Sequence, residues 1–138
     1  MFNGIIFNKG VVNNIKKSTK GVNIYIKSNL GVKKEDLGVS ICCDGVCLTM
    51  ISLKNNIMEF YLLKETMNRS KFKNISVGDK INLELPLKYG QKISGHLCQG
   101  HVDCTSKVDK ITNKGKSKIY DFTIDKKNLS YLIPKASI

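Results

Sequence analysis

The sequence predicts an all-β domain, and three observations carry the prediction. Apolar residues recur mostly at period two, turn-forming residues interrupt them at short intervals, and Asp44-Gly45 stands between two apolar runs as a strong hairpin signal. Strands this short and this numerous fit a small closed barrel, because closure leaves no sheet edge exposed.

The elements follow in order. Residues 5–15 read as a long first strand, bent at Gly10, and residues 16–21 as a hairpin loop. Residues 22–27 form a second strand that sets Ile24 and Ile26 on one face. Residues 39–43 and 46–51 flank Asp44-Gly45, where a type I′ turn needs positive φ at both central positions. Asn55-Asn56 turns the chain into a strand over 57–63. Residues 64–70 lack alternation and hold one helical turn. Ser76-Val77-Gly78-Asp79 is a turn, and residues 80–85 alternate cleanly until Pro86 ends the strand.

Composition bounds the function. At 138 residues the chain holds one well-buried domain and is short for two of ordinary size. It carries 23 basic residues against 11 acidic, a formal net charge of +12. That balance raises nucleic acid or an anionic membrane as partners. The detail argues against both. Arg69 is the single arginine, so the bidentate fork that reads phosphates and guanines is nearly absent. The lysines are scattered among Asn and Gly. No run approaches the roughly 18 apolar residues of a spanning helix, and the N-terminus lacks the pattern of a signal peptide. The five cysteines (Cys42, Cys43, Cys47, Cys98, Cys104) form an odd set, which fits free thiols in a reducing, cytoplasmic compartment.

An internal repeat is more informative than any single element. At an offset of 96 residues, Met1-Phe2-Asn3-Gly4-Ile5-Ile6 lies over Leu97-Cys98-Gln99-Gly100-His101-Val102, Val12 over Val108 and Ile15 over Ile111. With one residue of slippage, Ser40-Ile41 lies over Ser137-Ile138. The expected organisation is therefore a complete barrel over 1–96 and the incomplete start of a second over 97–138. The chain stops where the second copy of Asp44-Gly45-Val46-Cys47-Leu48-Thr49 is due, which reads as a truncation.

Several ordered segments resemble the riboflavin synthase family. They are Met1-Phe2-Asn3-Gly4-Ile5-Ile6, Asp44-Gly45-Val46-Cys47-Leu48-Thr49, Lys64-Glu65-Thr66, and Gly95-His96 with Gly100-His101-Val102-Asp103. Near the end, Tyr131-Leu132-Ile133-Pro134-Lys135-Ala136-Ser137-Ile138 is similar to the family's run into its second domain. The resemblance implies two similar six-stranded antiparallel Greek-key barrels, assembled as trimers in full-length members, or as a dimer for this shorter chain. It implies no metal and no cofactor. Two molecules of 6,7-dimethyl-8-ribityllumazine meet between the first barrel of one subunit and the second barrel of another. A four-carbon unit passes between them and yields riboflavin and a ribitylamino-pyrimidinedione. Holding two like heterocycles face to face makes a bimolecular step effectively unimolecular.

Carried over by motif position, the resemblance places Gly4, Ile5, Ile6, Cys47, Leu48, Thr49, Tyr61, Leu62, Leu63, Lys64, Glu65, Thr66, Gly100, His101 and Val102 at the lumazine pocket. Cys47, Ser40, Phe2 and His101 stand as the catalytic candidates, and Lys135 as a lysine that reaches a neighbouring subunit's site. The chemistry of the residues agrees in part. Cys47 and Thr49 share one strand face, where a thiol and a hydroxyl can hydrogen-bond a ring or a ribityl chain, and Gly4 and Gly100 allow close backbone approach. Taken singly, each has a plainer reading: Cys47 as a small core residue, Thr49 as a β-former, Glu65-Thr66 as a surface turn, Lys135 as a solvated lysine. The sequence departs from the family at Asn3 (usually Thr), Phe7 (commonly an acid) and Ala136 (usually Gly). The second barrel's Gly-Ile-Ser-Leu-Thr segment and later acidic residue are absent, so the chain alone is expected to bind lumazine with little or no turnover.

His96, Cys98, His101 and Cys104 could be weighed as a zinc set, but strand alternation spreads them over different faces and no paired C-x-x-C knuckle accompanies them. His101 is instead read as a ligand-facing, hydrogen-bonding residue. Cys42 and Cys43, neighbours on a strand, cannot face one ion and are read as structural. Two other functions compete with the enzyme: a lumazine- or flavin-binding protein without turnover, and a basic barrel for single-stranded nucleic acid. The last needs exposed aromatics interleaved with basic residues, whereas the aromatics here stand mostly singly in strands and tryptophan is absent.

Overall fold

The computed structural model describes residues 1–91 and 99–136. It contains eight strands: β1 (Asn8–Lys17), β2 (Gly21–Lys27), β3 (Ser40–Cys43), β4 (Val46–Lys54), β5 (Ile57–Leu63), β6 (Lys80–Glu84), β7 (Val108–Lys114) and β8 (Ser117–Phe122). One short α-helix, α1 (Lys64–Arg69), runs into a 3-10 turn at Lys71–Asn74. The chain divides into two compact units, Met1–Asp103 and Cys104–Ile138. The expected boundary at 96/97 lies outside the described residues, as do Gly95, His96, Cys98, Ser137 and Ile138.

The first unit is a closed barrel in the order β1-β2-β5-β4-β3-β6, antiparallel at every described pairing. Strands β3, β4 and β5 are joined by hairpins, and β2 lies beside β5, which makes a Greek key. Both hairpin turns are built as their residues require. Asp44 and Gly45 have φ of 46° and 82°, and Asn55 and Asn56 have 51° and 60°, the paired positive values of a type I′ turn. Asn is among the few non-glycine residues that adopt them readily.

Alternation decides what faces inward. On β2, Ile24 and Ile26 are fully buried; on β4, Val46, Leu48 and Met50 are buried while Cys47, Thr49 and Ile51 are exposed. Met58 and Phe60 from β5, Ile41 from β3, and Ile81 and Leu83 from β6 complete the core, and Phe72 from the 3-10 turn is buried with them. Each such side chain contributes roughly 1.5–3 kcal/mol by leaving water.

The first strand differs from expectation. It begins at Asn8, although Phe7 N–H still donates to Leu83 O of β6 at 2.9 Å; further back, the N–H groups of Asn3 and Gly4 are held by the Glu84 side chain. The register shifts between Val12 and Asn14 as a β-bulge. Gly10 is required for space, since a Cβ there would collide with Ile26 and stand 3.1 Å from Leu83 Cδ1. The strand also runs on to Lys17, and β6 ends at Glu84, one residue short of the expected end.

In the second unit β7 and β8 form an antiparallel hairpin. Its register repeats that of β1 and β2 at the 96-residue offset. Val12↔Ile26 becomes Val108↔Phe122, Asn14↔Tyr25 becomes Lys110↔Asp121, and Ile15↔Ile24 becomes Ile111↔Tyr120. The bulge recurs too, between Val108 and Lys110. Tyr120 and Phe122 stack at 6.4 Å on one face. The partial second repeat thus has the hairpin geometry of the first. Among the described residues no helix is long and apolar enough to cross a membrane.

Candidate functional site

The β3–β4 hairpin supplies the first wall of the site. Its register pairs Ser40 with Thr49 and Cys42 with Cys47, and directly opposed residues share a sheet face. All four therefore lie on the barrel's outer face, while Ile41, Cys43, Leu48 and Met50 point inward. The turn is pinned to β6: Asp44 N–H donates to Asn82 O, and Asp44 Oδ1 accepts from Asn82 N–H, both at 2.9 Å. Asp44 Oδ2 meets Lys71 Nζ at 2.5 Å.

A second wall is laid over this face by two extended segments. Gly100 N–H donates to Phe2 O at 2.8 Å, and Val102 N–H donates to Gly45 O at 2.7 Å, so residues 100–102 bridge the N-terminal segment and the hairpin turn. The Phe2 ring, itself buried, meets the His101 ring edge-on with centroids 5.7 Å apart. Gly100 has no room for a side chain: a Cβ would stand 2.6 Å from Gly4 N and 3.2 Å from Glu84 Oε2.

Helix α1 supplies the third wall. It follows β5 directly, and Arg69 pairs with Glu65 one turn back at 3.1 Å. Ser70 ends it, donating to Thr66 O at 2.7 Å and accepting from Phe72 N–H. Between the three walls lies a pocket of about 280 Å³, near the lower end of the range for small-molecule sites. Cys47, Glu65, Thr66, His101 and Val102 line it, together with Gly45, Val46, Arg69 and Ser70.

The structure brings together five of the expected residues in that pocket. Ser40 and Thr49 lie on the same face beside it, half-buried and exposed. Gly4 stands against Gly100. Ile5, Ile6, Tyr61 and Leu63 are exposed apolar residues, and Lys64 is exposed at the start of α1. Leu48 and Leu62 send their side chains into the core, so only their backbone faces outward. Lys135 belongs to the second unit, where it is exposed in a turn with φ of 67°.

Three features went unread in the sequence. Arg69 lines the pocket although nothing in its spacing marks it. Cys42, placed opposite Cys47, is buried and donates to Gly100 O at 3.6 Å. Burial, and then the nearby Glu84 carboxylate, push its thiol up to about 11; burial also raises Cys43. Glu84 is 1% exposed. Its Oε1 accepts from Asn3 N–H at 2.6 Å and Gly4 N–H at 3.0 Å, and its Oε2 from Gly4 N–H at 3.2 Å. The alternation of β6 had set Glu84 on the solvent side, and the signal for its burial lies in the distant segments that cover it.

Fold, motifs and pocket together define a small Greek-key barrel of the ligand-holding class. Over residues 3–86 the chain matches the family described as Lumazine binding domain. It is 30% identical over 138 residues to riboflavin synthase of Bacillus subtilis (strain 168), covering all of this chain and 64% of that protein. To riboflavin synthase of Chlamydia pneumoniae it is 35% identical over 139 residues, covering all of this chain and 68% of that one. The chain belongs to the lumazine-binding domain family, among the riboflavin synthases. It spans less than two thirds of the length of the Bacillus relative. The fold is also that of LumP. Its complex with riboflavin superposes with a TM-score of 0.76 at 22% identity, covering 96% of this chain and 72% of that one. Its complex with 6,7-dimethyl-8-(1'-D-ribityl) lumazine gives 0.70 at 22%, covering 96% and 71%.

Proposed function

We propose that this chain is the lumazine-binding part of a riboflavin synthase. The observation that carries the reading is the convergence of Cys47, Glu65, Thr66 and His101 on one pocket, from three separated stretches of sequence. In this reading residues 1–96 form the first repeat and 97–138 the beginning of the second. Cys47, Ser40, Phe2 and His101 act on the reacting centre, and the remaining candidates orient the ring and ribityl chain.

The chemistry asks modest things of such a site. The C7 methyl group of one lumazine gives up a proton, and C7 of the other accepts a nucleophile. Positioned acid–base groups supply these steps, and most of the acceleration comes from holding the two molecules together. The second lumazine and Lys135 would come from a neighbouring copy, in a trimer or, for this chain, a dimer. Free thiols at Cys42, Cys43, Cys47 and Cys104 fit a cytoplasmic setting.

The test is a titration of the purified chain with 6,7-dimethyl-8-ribityllumazine, followed by ligand fluorescence. Saturation near one ligand per barrel supports the reading; a folded chain that does not bind sinks it. A second reading, a lumazine or flavin carrier without turnover, is favoured by the likeness to LumP, which is known in complex with both riboflavin and lumazine. Prolonged incubation with lumazine separates the two, because only the enzyme accumulates riboflavin.

A further inference from the structure

Glu84 is an acid in an apolar barrel's outer wall, covered so well that 1% of it reaches solvent. A buried carboxylate is costly unless hydrogen bonds compensate it, and among the described residues the compensation comes from one segment. The backbone N–H groups of Asn3 and Gly4 both point at its oxygens, from a segment about 80 residues away in sequence. Such charge-assisted bonds are stronger than neutral ones. They tie the carboxylate and the segment to each other.

What the segment then fixes is the pocket wall. Phe2 O accepts from Gly100 N–H, Gly4 N lies where a Cβ on Gly100 would be, and the Phe2 ring stands edge-on against His101. Register adds a second link. Glu84 lies opposite Cys42 across β6 and β3, and Cys42 lies opposite Cys47 across β3 and β4. The three therefore form one row on the outer face, with Glu84 at its far end from the ligand. The Cys42 thiol, kept protonated beside that charge, donates to Gly100 O.

We propose that Glu84 is a positioning residue, holding residues 2–4 and through them Gly100 and His101 at the edge of the pocket. The proposal rests on the lumazine reading for its ligand, but not for its geometry. Glu84 does not line the pocket; it acts through the backbone it anchors.

Two variants of the full chain test this, with three readouts: the imidazole NMR signals of His101, lumazine binding by fluorescence, and the thermal midpoint. Glu84→Gln keeps the shape, removes the charge and turns an amide toward an N–H group. Gly100→Ala puts a methyl group against Gly4 N and Glu84 Oε2. Ile26→Val, in the core, is the control for instability alone, and His101→Gln assigns the histidine signals. Glu84→Gln and Gly100→Ala are expected to shift the His101 signals and weaken binding about tenfold, the size of one lost charge-assisted bond. Ile26→Val is expected to lower only the midpoint. The proposal is overturned if the His101 signals of Glu84→Gln coincide with those of the parent. It is equally overturned if Ile26→Val weakens binding as much, or if both test variants fail to fold, which would make Glu84 a folding residue only. A parent chain that binds no lumazine defeats the functional reading, and the His101 signals still decide the positioning.

Discussion

Cys42 and Cys47 stand directly opposite each other on adjacent strands, yet one is covered and the other open to solvent. Cys42 lies against the Gly100 segment, to whose carbonyl its thiol donates, whereas Cys47 lines the open pocket. Thiols in these two settings differ in reactivity because the thiolate is the nucleophile and must be reached. At neutral pH, a maleimide should label Cys47 well before Cys42 or Cys43, as read by peptide mass spectrometry. Equal labelling of Cys42 and Cys47 would show that the covering segments do not stay in place.

The same burial sets a pH dependence. The Cys42 thiol is raised from 9.0 to about 11 in the folded chain. An unfolded chain loses that proton near 9 while the folded chain keeps it, so the unfolded state is favoured progressively as pH rises. The Cys42 contribution is present in full below pH 9 and declines between 9 and about 11. The raised Cys43 thiol acts in the same direction. Denaturant midpoints measured from pH 8 to 11 should fall, and Cys42→Ser should flatten the decline.

Cys47→Trp places an indole in a pocket of about 280 Å³, from a side chain that is already exposed. Stability should change by less than about 1 kcal/mol, as for most surface substitutions. Lumazine binding should fall by at least an order of magnitude, because the ring occupies the ligand's volume. Unchanged affinity in the titration would move the ligand elsewhere.

Gly45→Ala acts on fold and pocket at once. The residue has φ of 82°, and a Cβ would stand 2.9 Å from Val102 Cβ. The left-handed conformation alone costs about 1–2 kcal/mol for a residue with a Cβ. The added contact pushes Val102 away from the turn. Urea unfolding should report a loss of that order or more, with weaker lumazine binding.

Phe60→Ala empties the centre of the barrel, where the ring is fully buried. A loss of about 3–5 kcal/mol is expected. In urea the midpoint should fall while the slope stays the same, which marks lost stability and not a changed denatured state.

The barrel was largely legible because its signals are local. Period-two alternation set Ile24 and Ile26 on one face and Leu48 and Met50 on the face opposite Cys47, and Asp44-Gly45 and Asn55-Asn56 announced their turns. The outward pairing of Cys47 with Thr49 followed from the same period. What escaped reading depends on contacts between distant residues. Glu84 sits at an outward position of β6 and is buried only because residues 3 and 4 fold over it. β1 begins at Asn8, although the apolar residues 5–7 before it read as strand. The bulge after Val12 has no residue signature at all, and Gly10 is a glycine for lack of space beside Ile26 and Leu83.

The hairpin of β7 and β8 repeats not only the pairing of β1 and β2 but also their irregularity, at the same offset. Few side chains are shared between the copies: Ile24 answers to Tyr120 and Ile26 to Phe122. The geometry is shared where the side chains are not. The bulge therefore belongs to the backbone pairing rather than to one set of side chains, since two unlike sequences fold into it.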